Sequence, residues 1–317
     1  MSREDLIQRV AQLDKIIIPH PAFAAAVHGI EDCLAKSKYY REPVGSLLLA
    51  EGGMGKTTAH RAVLSRLAKS TIRDGDFERT IVPAFYFEIP SPATVKSVAA
   101  SMLDALGAPS PHSGSSAAFM TQRLCKLLER AETLLVFIDE AQNLFCIGKR
   151  STKINIVVCN WIKWMVNNTN VSFCLMGLPE FAPILSADSQ LTRRFPMHFE
   201  LHALTPGDQE HFGSLVPFLA EAMKQATQRL QLDAAPRFDT LLAATQVYAA
   251  TGGNPSFVIK LIKEAVLDAL CAGTAHVTLE NFAAAWDSGV TARASIARNN
   301  PFRLSHGALA AALRRSA

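Results

Sequence analysis

Apolar residues along the chain recur at two periods, and their order sets the architecture. Short runs in which most positions are apolar fall at 44–50, 80–89, 134–139, 171–176 and 197–204. They read as strands, most of them buried on both faces. Between them, 56–69, 93–106, 117–131 and 154–167 carry apolar residues at helical spacing. Alternating β and α elements of this kind predict an α/β fold, a five-stranded parallel sheet covered by helices. Two helices precede it, over 2–13 and 21–36, separated by Ile16-Ile17-Ile18-Pro19-His20-Pro21, whose prolines break helix.

Past Pro206 the strand pattern stops. Helical spacing continues over 208–228, 237–250, 255–270 and 279–287, and in the third of these Val258, Leu261, Ile262, Ala265, Val266 and Leu270 form one stripe. The expected divisions are an N-terminal helical segment (1–40), an α/β domain (41–205), a small all-helical domain (206–288) and a tail (289–317). Residues 107–116 are rich in Gly, Pro and Ser and predict a loop.

The first strand runs into Ala50-Glu51-Gly52-Gly53-Met54-Gly55-Lys56-Thr57-Thr58, followed at once by a helix. Strand, glycine loop and helix are the layout that wraps backbone N–H groups around phosphate oxygens. Glycines suit it because the loop needs backbone angles that side chains forbid and must let the phosphate come close. Residues Glu51 through Thr58 are therefore the candidate ATP-binding segment, with Lys56 on the outer phosphates and the Thr57 hydroxyl on Mg2+. The 134–139 strand ends in Asp139-Glu140. There Asp139 is placed to hold Mg2+, directly or through water, and Glu140 to orient or deprotonate a water. The loop departs from the usual pattern in opening on Ala50 rather than Gly.

The chain has 317 residues, 49% hydrophobic and 19% charged, an ordinary globular composition. Neither a membrane-length apolar run nor a signal peptide is legible, so a cytoplasmic location with no membrane association is expected. Six cysteines are scattered without metal-ligand spacing, and Cys159 and Cys174 sit in apolar runs. His198 and His202 share a strand pattern with no glutamate motif beside them and read as structural. The net charge of +4 is concentrated late: Arg293, Arg298, Arg303, Arg314 and Arg315 follow Ser288 with no acidic residue among them. Such a tail reads as a terminal segment or as an arm for DNA or a protein partner. On the 154–167 helix, Val157, Trp161 and Met165 share a face, and Trp161 at least reads as core.

A nucleotide-type α/β domain followed by a helical lid resembles the AAA+ class. The narrower resemblance is to the TniB and TnsC transposition ATPases. It rests on the order of Ile18-Pro19-His20-Pro21-Ala22-Phe23, the Lys56 loop, Phe137-Ile138-Asp139-Glu140-Ala141-Gln142, Met176-Gly177-Leu178-Pro179-Glu180 and Gln190-Leu191-Thr192-Arg193-Arg194-Phe195. The resemblance implies ATP hydrolysis with Mg2+, and a ring or helical filament of identical subunits on duplex DNA. It further implies that this assembly recruits a transposase and answers to a target-selection protein or complex.

It also implies that Arg194 enters the ATP site of a neighbouring subunit, with Arg193 as the fallback. Candidate DNA contacts are Thr94 and Lys96 at a helix start, and Lys149, Arg150 and Lys153 in the loop after the Asp-Glu strand. Two departures imply slow hydrolysis. Gly177 and Leu178 stand where a polar sensor is common, and the lid offers Lys260 rather than an arginine near Ser256 or Phe257. A two-motor helicase does not fit, because no strands follow Pro206. A nucleotide-switched protein scaffold that ignores DNA is the alternative.

Overall fold

The computed structural model describes residues 2–74, 77–112, 116–148, 151–180, 182–183, 188–208 and 210–314. Two compact units emerge: residues 22–52 with 56–201, and residues 1–21, 53–55 and 202–317.

The first unit is built on a five-stranded sheet. In spatial order it runs β4 (Ala84–Glu88), β5 (Leu135–Asp139), β8 (Ser172–Gly177), β1 (Ser46–Ala50) and β9 (Met197–Leu201), every neighbouring pair parallel. The three inner strands are buried at every position, which is why they read as continuous apolar runs. β9 lies at an edge, alternates half-buried with exposed residues through Glu200, and ends on buried Leu201.

Leu47, Leu49, Val136, Ile138, Phe173 and Leu175 form one core with α4 (Val95–Ala105), α5 (Ala117–Arg130) and α6 (Ile156–Asn168). Each such leucine contributes about 2 kcal/mol by leaving water. The opposite face carries α2 (Pro21–Ser37) and α3 (Lys56–Leu64). There Gly29 lies against the Phe199 ring where no Cβ would fit, and His60 lies 5.8 Å from Phe137 between ring centroids.

Three local expectations change. The 80–89 run is split into β3 (Phe77–Ile81) and β4, because Pro83 has no N–H to continue a ladder and its carbonyl instead accepts from Leu134 and Leu135. α3 stops at Leu64 rather than 69, and the chain turns into β2 (Ser70–Asp74), antiparallel to β3. After Asp139 a hairpin of β6 (Phe145–Gly148) and β7 (Ser151–Ile154) replaces the expected loop. On α6, Met165 is fully buried while Val157, about two turns earlier on the same stripe, is exposed at 68%. Trp161 packs at the core's edge with its indole N–H on Thr121.

In the second unit, α8 (Leu215–Leu230), α9 (Leu241–Thr251), α10 (Pro255–Cys271) and α11 (Leu279–Asp287) enclose a core that includes Leu219, Val247, Leu261, Ile262 and Phe282. The expected α10 stripe is buried throughout. Pro255 opens this helix and Asn254 caps it, accepting from Ser256 and Phe257. α1 (Arg3–Val10) joins the same core through Leu6 and Val10. The late basic segment folds here too: Ile296 and Ala297 donate to the Ala249 carbonyl, and Arg303 pairs with Glu280 and Asp287. The chain ends its described course in α12 (His306–Arg314).

Candidate nucleotide site

β1 ends at Ala50, and residues 51–55 turn the chain into α3, whose first residue is Lys56. Gly53 (φ +81°) and Gly55 (φ +104°) occupy backbone conformations that L side chains rarely adopt. Among the described residues, leaving aside its chain neighbours, nothing lies within 4 Å of where a Gly52 Cβ would stand. Glu51 and Thr57 are exposed, while Met54, Lys56 and Thr58 are half-buried. The Lys56 ammonium folds back on the Ala50 carbonyl. The loop thus arches over the start of a helix whose first N–H groups lack intrahelical partners, which is a ready anion site.

β5 delivers Asp139 to the same carboxyl end of the sheet, 7% exposed. Asp139 Oδ1 accepts from the Glu140 N–H at 2.8 Å, and Glu140 turns sharply with φ +56°. Burial, then Asp139 and Glu88, push the Glu140 carboxyl up from its ordinary pKa, while Lys56 opposes them. The Lys56 loop and Asp139-Glu140, joined in one expected site by the sequence, thus lie at the same end of the sheet.

Sequence reasoning missed three residues here. Tyr86 Oη lies 2.7 Å from Glu88 Oε1 and 3.2 Å from Asp139 Oδ2, so its one proton can serve either carboxylate. Burial and these two acids hold the phenol well above its usual pKa. Gln142, in the 3-10 turn Ala141–Leu144, donates its amide to Glu140 Oε2. The signal available was two polar residues at period 2, Tyr86 and Glu88, in an otherwise apolar strand.

The carboxylates at this end of the sheet favour a cation, and Thr57 and Asp139 are the groups that could hold Mg2+. No group of three or more metal-ligating side chains exists among the described residues. Mg2+ keeps waters and substrate phosphates around one or two protein ligands, a number that Thr57 and Asp139 could supply.

Arg194 lies elsewhere. It ends α7 (Ser189–Arg194), ahead of β9, and its carbonyl accepts from Gly45 at 3.0 Å. Because Ser46 pairs with Met197, Arg194 sits beside the beginning of β1, whereas Lys56 follows its end. Five residues of strand separate those ends by about 16 Å.

Thr94 caps α4 through the Ser97 N–H, and Lys96 is exposed on the first turn. Asn155, just after β7, donates to the Ala93 carbonyl at 2.8 Å, which ties the hairpin's base to the start of α4. Lys153 belongs to β7 rather than to a loop, paired in register with Cys146. Lys149 and Arg150 lie outside the described residues.

A parallel β4-β5-β8-β1-β9 sheet with this loop and carboxylate pair, followed by an all-helical unit, defines an AAA+ P-loop NTPase fold. Solved structures agree. The chain is similar to ORC1 of Aeropyrum pernix in complex with DNA (20% identity, TM-score 0.60), covering 86% of this chain and 66% of that one. It is also similar to Cdc6p from Pyrobaculum aerophilum (13%, TM-score 0.58, covering 93% and 71%) and to A. pernix ORC2 in its ADPNP-ADP complexes (13%, TM-score 0.60, covering 87% and 71%). No protein of curated function matches the chain. The family model of the bacterial TniB protein matches residues 9–203, and the chain belongs to that family. Among the described residues no helix is long and apolar enough to cross a membrane.

Proposed function

We propose that this protein is an ATPase that assembles on duplex DNA and, in that state, regulates transposition by engaging a transposase. One observation carries the enzymatic part: the Lys56 loop and Asp139-Glu140 meet at one end of the sheet while Arg194 is held at the other. In this reading one copy supplies the loop and the carboxylates, and a neighbouring copy supplies Arg194, which among the described residues stands at the far end of β1 from Lys56.

In this reading the loop N–H groups of residues 52–56 and the Lys56 ammonium hold the triphosphate. Thr57 and Asp139 hold Mg2+, which when bound supplies charge neutralisation at the outer phosphates. Glu140 takes a proton from the attacking water, a role favoured by its raised pKa. Arg194 of an adjacent copy completes the site, so turnover depends on assembly. Membership of the TniB family supports the transposition context. The ORC1 likeness is to a protein solved with DNA, and the exposed Lys96, near the β6–β7 base, is the cation we assign to phosphate contact.

Steady-state ATP hydrolysis with and without plain duplex DNA tests the reading. Stimulation that weakens steeply with salt is expected. Hydrolysis or assembly indifferent to DNA would favour a nucleotide-switched scaffold instead.

A further inference from the structure

Glu140 is held from two directions. Its backbone occupies the left-handed region at φ +56°, where a residue other than glycine is strained. At the far end of its side chain, Gln142 Nε2 donates to Oε2. The other end of that amide tells what the residue is for. Among the described residues, Gln142 Oε1 is buried and has no hydrogen-bond partner.

It lies against β8 where residue 177 is glycine: a Cβ there would stand 3.1 Å from Oε1 and 3.3 Å from the Ala141 Cβ. A buried acceptor without a donor weakens a fold, and an apolar side chain of similar volume would avoid that loss. Packing therefore does not account for an amide here. Its contact with Glu140 does.

We propose that Gln142 is a positioning residue for hydrolysis. Its amide fixes the Glu140 carboxylate in the orientation that accepts a proton from water, and the missing side chain at Gly177 is the space the amide requires. The proposal rests on the ATPase reading above and adds a residue to it. Gln142 touches neither nucleotide nor metal in this scheme, so its loss acts on turnover and not on binding.

The test uses the full chain with duplex DNA and compares wild type, Glu140→Gln, Gln142→Met, Gly177→Ala and the Gln142→Met/Gly177→Ala pair. Three quantities are read: affinity for a fluorescent ATP analogue, thermal midpoint, and kcat. For Gln142→Met the expected result is a kcat at least tenfold below wild type, analogue affinity within twofold, and a thermal midpoint equal or higher because the orphan acceptor is gone.

Gly177→Ala should lower kcat alone and have no further effect in the Met background, the non-additivity of two residues that act through one contact. A Gln142→Met protein with wild-type kcat, beside an inactive Glu140→Gln, overturns the positioning role and leaves the ATPase reading standing. Loss of kcat in step with a falling midpoint or lost analogue binding also overturns it, in favour of a structural role. A wild type that binds the analogue and hydrolyses nothing overturns both.

Discussion

Arg194 is ion-paired to Glu42, and its side chain is only 13% exposed, whereas Arg193, sharing the same carboxylate at 3.1 Å, is 69% exposed. The pair pins one guanidinium and leaves its neighbour to solvent. Pinning limits the rotamer entropy lost when a flexible side chain must act at a distance. The pinned residue is also the one whose carbonyl is stitched to the start of β1.

Arg194→Ala should therefore cut turnover in the assembled state by about a thousandfold or more, the scale of a trans-acting arginine. Nucleotide affinity of the free chain should be unchanged, and Arg193→Ala should have little effect. Mixing gives the sharpest check. Arg194→Ala and Lys56→Ala proteins, each inactive alone, should regain part of the activity together, because a mixed interface joins one intact arginine to one intact phosphate loop. Undiminished hydrolysis by Arg194→Ala removes it from the site.

Lys56→Ala and Glu140→Gln should separate binding from chemistry. The first loses nucleotide affinity and, with it, assembly. The second still assembles but turns over about a hundredfold to ten-thousandfold more slowly, the usual weight of a positioned base. Phosphate release and light scattering on the same samples distinguish them, and brisk release by Glu140→Gln would contradict the role given to that carboxylate.

Much of this was legible because the periodicities are clean. The five strands of the sheet, three of them buried throughout, and the α10 stripe follow from apolar spacing, and the Lys56 loop and Asp139-Glu140 declare themselves by residue type. What the spacing hid were elements governed by single residues or by pairing. Pro83 splits one apolar run into two strands, and the short β2–β3 and β6–β7 hairpins have too few residues for a period to show. Tyr86, Glu88 and Gln142 were missed for a different reason: each becomes meaningful only when parallel register sets Glu88 opposite Asp139 and the 3-10 turn folds Gln142 back on Glu140.

Acid should expose a buried histidine. His60 of α3 is 4% exposed, stacked on Tyr86 at 4.4 Å, and burial, helped by Arg61, lowers its pKa to about 4. The unfolded chain protonates it near its ordinary value of 6.5. Stability is thus fully present above about pH 6.5, falls as pH drops toward 4, and loses about 3 kcal/mol through this one group. Urea unfolding between pH 7 and 4 should show a flatter acid limb for His60→Phe than for wild type. An unchanged slope would mean that His60 does not carry it.

Asp188 links α6 to the helix bearing Arg194. It caps α7 through the N–H groups of Gln190 and Leu191 and pairs with Lys163, itself 11% exposed, at 2.6 Å. Asp188→Ala should cost about 1–3 kcal/mol from the lost cap and from the Lys163 ammonium left with Asn160 but no carboxylate. It should also lower assembled-state turnover by loosening Arg194. Chemical denaturation and hydrolysis assays on one preparation check both, and a stability loss without any kinetic change would confine Asp188 to the fold.

The central claim is that nucleotide bound between copies of this chain builds the working assembly on DNA. Electron microscopy of the purified protein with a non-hydrolysable ATP analogue and plain duplex DNA tests it most directly. Rings or filaments that require the analogue, and that vanish with Lys56→Ala, are the expected result. Isolated single copies at saturating analogue and DNA would contradict it.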